Sequence, residues 1–466
     1  MALKHTIFRG TLWAGGAQVL SMACNFALTI VLAHGLAPAD YGLYFIALNS
    51  IVILANVGMA GMDRSTVRVA SIRVVERDWR GLRVLLATCI RVVVMCAIAA
   101  AIGFIAVGHK VFTDFLHAPG LAPYVGVMAL WLVLAAIQGE LTEAFRGLND
   151  IRLASLFGGV RSNGIVMAVA VLALMGGLTW MGRLTLAGAL WVMVFVAGAS
   201  VVAAAAMLIG RVSRLSATDE GSEASGTVWG VRDALLDAWP YWITAIIVAL
   251  RLQGGAWLAG AFDNNDNVAL YGIAQRMMLL LAAPMIIGNA VLPPIIAQLH
   301  AAGQLRRMER VIRSVSGLIL LPSLLLTVLL MVAGKLVLHG LFSAFYEAAY
   351  PLLIILCIGQ TANIATGAWQ TVMPMTGNQR LMLVTSVLAM VIQLGLGVWL
   401  GSVHGVLGVA ISFAVSVTVS NLVGMLFVRR SLGIWTFASL DVATIRDALE
   451  MVAAKLRGRK SAWQKV

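Results

Sequence analysis

Apolar residues in this chain run in long blocks, bounded by charges, Gly and Pro, rather than in alternation or narrow stripes. Blocks near 10–34, 41–62, 84–108, 122–145, 154–178 and 185–210 each approach or exceed the roughly 20 residues a helix needs to cross hydrocarbon. A polar stretch from Arg211 to Asp237 follows, including the Ser/Gly/Glu-rich segment Thr218 to Ser225. Six more blocks then run near 239–262, 268–297, 314–338, 349–372, 381–401 and 405–428. The pattern predicts an all-α integral membrane protein with about twelve transmembrane helices in two parallel six-helix lobes. The expected divisions are an N-terminal lobe over 1–210, an inter-lobe linker over 211–238, a C-terminal lobe over 239–428 and a basic tail over 429–466. Lys4 and Arg9 precede the first block as they would in a secretory signal, but the block is too long for a signal's apolar region and reads as a retained span.

Composition agrees with the pattern. Of 466 residues, 61% are hydrophobic and 11% charged, against about 25% charged in soluble domains, and that excess of apolar surface needs a non-aqueous solvent. The net charge of +13 would point to nucleic acid in a soluble domain; here it reports orientation. Segments assigned to the inside hold 26 of the 33 Lys and Arg, whereas the outside holds only Lys110, Arg183 and Lys335. By the positive-inside rule both termini are expected in the cytoplasm. Cys24, Cys89, Cys96 and Cys357 all fall inside apolar runs, where cysteine acts as a small hydrophobe.

The halves repeat. Gly42-Leu43-Tyr44-Phe45-Ile46-Ala47 recurs as Ala269-Leu270-Tyr271-Gly272-Ile273-Ala274 at an offset of 227, and Arg152-Leu153 recurs as Arg380-Leu381 at 228. Six crossings per half is an even number, so the copies are expected to be parallel, as in transporters that rock one half against the other. In the tail, Leu440, Ala443, Leu449, Val452, Ala453 and Leu456 recur at helical spacing beside Lys455, Arg457, Arg459 and Lys460, the pattern of an amphipathic helix on an anionic leaflet.

Ionisable residues deep in spans are the first functional candidates, because hydrocarbon penalises them. Arg251 lies near the middle of the seventh span and Arg276 about nine residues into the eighth; both are expected to bind a diphosphate. Arg91 and Arg161 lie about two turns from span ends, where a long stem reaches water. Glu140 and Glu143 stand one turn apart near Arg146; Glu140 is the ion-coupling candidate, and an interfacial ion pair is the alternative. Asn25, Asn49, Asn56, Gln253 and Asn289 are candidates to line a cavity, or to bond neighbouring helices. Basic groups within spans outnumber acidic ones, which favours an anionic substrate, and guanidinium matches phosphate oxygens with paired hydrogen bonds.

Other activities lack their parts. No phosphate-binding Gly-x-x-x-x-Gly-Lys-Ser/Thr loop is present, the histidines have no metal-ligand spacing, and no Gly-x-Ser-x-Gly elbow occurs. The sequence therefore predicts neither enzyme chemistry, nor a cofactor, nor a bound metal, and no nucleic-acid partner.

Leu36-Ala37-Pro38-Ala39-Asp40-Tyr41-Gly42-Leu43-Tyr44, Phe145-Arg146-Gly147-Leu148 and Ala269-Leu270-Tyr271-Gly272-Ile273-Ala274-Gln275-Arg276-Met277 resemble the bacterial polysaccharide-exporting flippases. These belong to the multidrug, oligosaccharidyl-lipid and polysaccharide exporter superfamily. The resemblance implies translocation of undecaprenyl-diphosphate-linked oligosaccharide across the bacterial inner membrane by alternating access, for O-antigen-type or other surface polysaccharide. Spans one, two, seven and eight are then expected to line the cavity. Implied partners are the lipid-linked substrate, membrane lipids, a coupling ion, and a polysaccharide polymerase with glycosyltransferases. Where that family often carries Arg-x-Asp in span seven, this chain has Arg251-Leu252-Gln253. Two alternatives stay open: an ion-coupled drug or metabolite antiporter of the same superfamily, and a non-transporting scaffold for polysaccharide enzymes.

Overall fold

The structure is a computed structural model describing residues 2–158, 164–217 and 230–439, with side chains described except at 2–14, 216–217, 233, 286–291, 294 and 379. Among these residues every regular element is helical. The long helices of the first half are α1 (Ala2–Gly35), α2 (Pro38–Gly58), α4 (Trp79–Lys110), α5 (Val125–Gly147) and α8 (Leu186–Ala217), with shorter α3 (Met62–Glu76), α6 (Ile151–Phe157) and α7 (Ile165–Trp180) between them. The second half comprises α9 (Val231–Phe262), α10 (Asn265–Leu279), α11 (Met285–Ala301), α12 (Leu305–Leu341), α13 (Tyr350–Ala365), α14 (Trp369–Met375) and α15 (Gln379–Leu432).

Nine described helices are long and apolar enough to span a membrane. The longest holds two crossings, because Gly405 (φ 56°, ψ −139°) turns the chain inside α15. The shorter apolar α7 adds one, and α10 with α11, interrupted around Leu280–Ala282 and Pro284, adds another. The result is the order of twelve crossings that the apolar blocks predict. Arg161, the segment Thr218 to Ser225 and the tail pattern from Leu440 onward lie outside the described residues.

The helices are arranged as hydrocarbon requires, with polar groups turned inward. On α12, Leu325, Val328, Leu329, Val332 and Leu336 are exposed, while Leu320, Ser323, Thr327, Leu330 and Leu338 on the other face are buried. Two of the buried hydroxyls are bonded between or along helices: Ser323 Oγ donates to Leu281 O at 2.9 Å, and Thr327 and Thr361 share a 2.9 Å hydrogen bond. Hydroxyls between helices replace the water that lipid cannot supply.

The internal repeat is visible in the backbone. Asn149 (φ 58°) and Gly377 (φ 80°) are both left-handed, and each is followed by the cap of the next helix, Asp150 and Asn378. Six-residue 3-10 turns, Pro119–Tyr124 and Ala344–Ala349, lead into α5 and α13 respectively.

Two compact units result, Met1–Ala269 and Leu270–Val466. The first includes α9, which runs beside α2 and α3. Trp242 Nε1 donates to Val57 O at 2.9 Å and Trp257 Nε1 to Ser50 Oγ at 2.8 Å. Gly61, at φ 74°, joins α2 to α3 so closely against Ala238 and Trp242 that a Cβ there would strike their backbone. In the second unit α13 packs on α12 and α15, and α14 on α11 and α15. Beyond α15 the chain straps back: Ala438 N donates to Ala365 O at 2.9 Å and Ser439 N to Arg313 O at 3.0 Å, while the Arg313 guanidinium lies 4.1 Å from the Phe437 ring centre.

Candidate functional site

Arg251 sits on α9, eleven positions beyond Pro240. Its side chain is half-buried, and its Nε is buried with no hydrogen-bond acceptor among the described residues. No described carboxylate pairs with it. A guanidinium partly withdrawn from water without a counter-charge carries a desolvation cost. Gln253, where the resemblance leads one to expect an acid, is half-buried. Arg276 lies on α10 in the second unit, half-buried and likewise without an ion pair among the described residues.

The amide candidates divide by environment. Asn49 and Asn56 are buried, and their Nδ2 groups donate one turn back along α2, to Phe45 O and Val52 O, each at 2.7 Å. Asn25 does the same on α1, reaching Ser21 O at 2.7 Å. Asn289 lies on α11 with its side chain outside the described set.

Glu140 and Glu143 have different surroundings although they are three residues apart. Glu143 takes Arg146 in an ion pair at 2.6 Å. Glu140 is 1% exposed and receives Thr66 Oγ1 on Oε1 at 2.5 Å, while its Oε2 is buried with no partner among the described residues. Thr66 comes from α3, whose inward face, Met62, Asp63, Ser65, Thr66 and Ala70, is buried, with Arg64 and Arg68 outward. Asp63, within electrostatic range of Glu140, adds a second buried carboxyl to this pocket of α3 and α5.

A second contact anchors α9 to the same helix. Asp237 accepts hydrogen bonds from Ser65 Oγ and from the Arg68 guanidinium, and the Asp237 bond raises the Arg68 pKa above its ordinary value. Asp63, Ser65, Thr66 and Asp237 are absent from the sequence-based candidates, because α3 reads there as a basic connection. The one available signal is the three-residue spacing of Asp63 and Thr66, which places them on one helix face. No group of three or more metal-ligating side chains occurs among the described residues.

Twelve apolar crossings, hydroxyls turned inward and span arginines that have no counter-ion among the described residues fit a multi-pass membrane transporter. Residues 7–300 match the family model for "Polysaccharide biosynthesis protein". That is more than half of the chain, and the protein belongs to this family. Residues 240–399 also match the MatE model, so both halves belong to the superfamily of multidrug, lipid-linked oligosaccharide and polysaccharide exporters. The fold is shared with an inward-facing multidrug resistance MATE family transporter (TM-score 0.69, 14% identity, covering 89% of this chain and 94% of that one). It is also shared with the lipid II flippase MurJ in an inward closed conformation (0.61, 12%, 96% and 91%) and with a mutant of the Vibrio cholerae MATE transporter VcmN (0.60, 16%, 93% and 97%). No curated protein matches the sequence significantly.

Proposed function

We propose that the protein is a flippase that carries undecaprenyl-diphosphate-linked oligosaccharide across the bacterial inner membrane by alternating access, with both termini cytoplasmic, for assembly of surface polysaccharide. The observation that carries this reading is the Arg251 guanidinium, within span seven, its Nε buried and without a protein acceptor among the described residues. A diphosphate supplies the missing charge and the paired oxygens that guanidinium matches. Arg276 is a further candidate for phosphate, Gln253 and the asparagines of α1, α2 and α11 are candidates for sugar hydroxyls, and Glu140 is the carboxyl that couples an ion. Membership of the polysaccharide biosynthesis family supports the substrate class, as does the fold shared with a lipid II flippase. Candidate partners are the polymerase and glycosyltransferases that use and make such lipids.

The test is surface polysaccharide in cells whose own copy of the gene is replaced by Arg251→Ala or Arg251→Lys, compared at equal protein in the membrane. Alanine is expected to abolish export. Lysine keeps the charge but not the fork and is expected to leave a reduced level. Normal polysaccharide with alanine would overturn the reading and leave a scaffold role. The MatE match over 240–399 favours a second reading, an ion-coupled antiporter. Its mark would be export of a cationic dye by the reconstituted protein, undiminished by lipid-linked sugar.

A further inference from the structure

The second unit contains a cavity, polar on one side and apolar on the other, that the diphosphate reading does not use. It lies among α11, α12 and the elbow between α13 and α14, with a volume of about 80 Å³. At roughly 10–15 Å³ for each water it has room for about five to eight. Ser316, Asn363, Gln370 and Thr371 supply its polar wall, and Leu292 and Ile319 part of its apolar wall. None of the described lining residues is charged.

Its polar groups are under-used by the protein. Ser316 is 2% exposed, and its Oγ has no hydrogen-bond partner among the described residues. Gln370 Nε2 reaches Asn421 Oδ1 only at 3.4 Å, whereas Trp369 Nε1 holds the same oxygen at 2.6 Å. Asn363 Nδ2 is 3.5 Å from Gln360 Oε1. A buried hydroxyl left in this condition costs stability unless something else bonds it, and the half-buried amides of Asn363 and Gln370 have hydrogen-bonding capacity left for a guest.

The wall is held in place by the strap beyond α15. Gly367 takes φ 78°, and a Cβ there would strike Thr436 O. Thr436 Oγ1 donates to Thr366 O at 2.8 Å, directly before that turn. The elbow that presents Gln370 and Thr371 is therefore fixed before any ligand arrives, which lowers the entropic cost of binding.

We infer that this cavity binds an uncharged, hydroxyl-bearing ring, the sugar portion of the transported lipid; the choice of sugar source rests on the flippase reading. A ring hydroxyl both donates and accepts, as serine, threonine and the carboxamides require. Leu292 and Ile319 suit the C–H face of a pyranose. A phosphate or ammonium group would enter without a counter-charge from the described wall, at the cost of its desolvation.

Saturation-transfer NMR on the full-length protein in nanodiscs free of glycolipid tests this, with glucose, galactose, N-acetylglucosamine, glucosamine and glucuronate as probes. At least one neutral sugar is expected to bind, with affinity reduced about fivefold or more by Gln370→Leu and by Asn363→Leu. Thr371→Val, which keeps side-chain shape, serves the same purpose should either leucine variant misfold. Arg251→Ala is expected to leave the sugar signal intact while losing undecaprenyl diphosphate, so failure of the diphosphate reading shows separately. In cells the cavity variants are expected to lower surface polysaccharide at normal protein levels. Three results would overturn the inference: no neutral sugar bound, charged sugars bound equally well, or binding unmoved by the variants. Binding lost with polysaccharide unchanged would overturn the assignment to the lipid-linked sugar.

Discussion

Thr66→Val isolates the contact that distinguishes Glu140 from Glu143. The substitution keeps the branched shape and removes the hydroxyl that donates to Glu140 Oε1 at 2.5 Å. Thr66 is 0% and Glu140 1% exposed, so no bulk water replaces the lost donor. Because Oε2 has no partner among the described residues, the carboxyl is left with none of its described hydrogen bonds. Leaving a buried polar group in that state costs about 1–3 kcal/mol, and more for a charged one. Glu140→Gln keeps an oxygen for Thr66 and is expected to cost less. Glu140→Leu removes the acceptor altogether, so in the double variant Thr66→Val with Glu140→Leu the two losses should fall short of additivity by about 1 kcal/mol or more, since the removed contact is shared. Thermal unfolding of the purified protein, followed by tryptophan fluorescence, reads the difference at about 1–2 °C for each kcal/mol. Wild-type melting of Thr66→Val, or strict additivity in the double variant, would refute the pairing.

Three further outcomes follow from neighbouring contacts. Asp237→Ala is expected to destabilise by about 1–3 kcal/mol, because it orphans the fully buried Ser65 hydroxyl. Arg68→Ala, whose side chain is 51% exposed, should cost less than about 1 kcal/mol; equal losses in the two melts would contradict this. Gly61→Ala at φ 74° meets about 1–2 kcal/mol of left-handed strain plus the clash with Ala238 and Trp242, and should sharply lower the yield of monodisperse protein in size-exclusion chromatography. Phe437→Ala removes the ring under Arg313, worth about 0.5–2 kcal/mol, and should speed trypsin cleavage after Arg429 and Arg430; an unchanged digestion rate would show that the backbone bonds alone hold the strap.

Crossings are legible in this sequence because lipid demands a run of apolar side chains whatever their neighbours are, so span positions follow from length alone. Breaks inside runs are less so. Pro284 sits inside the single block 268–297, and whether such a residue bends a helix or ends it depends on packing; Gly405, by contrast, falls where the blocks 381–401 and 405–428 meet. Arg251 stands out on the page as a charge far from either end of its block. The α3 contacts do not: Thr66 meets Glu140 across 74 positions and Ser65 meets Asp237 across 172, and no local spacing encodes such a meeting. The arginines of Met62–Glu76 make the segment read as a solvated connection, yet Arg64 and Arg68 occupy one exposed face while the other is buried against α4, α5 and α9. Asn25, Asn49 and Asn56 illustrate the converse, since a polar residue in an apolar run signals that a bond must be made but not with whom.

Gly405 turns the chain between the last two crossings within a single left-handed residue. An antibody, a protease or an inserted epitope tag finds no loop to seize at that point, and a reporter fused there would have to unwind helix on both sides. Labelling to map which side of the bilayer this part of the chain faces is better placed near Thr113 to His117, where the backbone already leaves the helix and Phe115 stands clear of its neighbours.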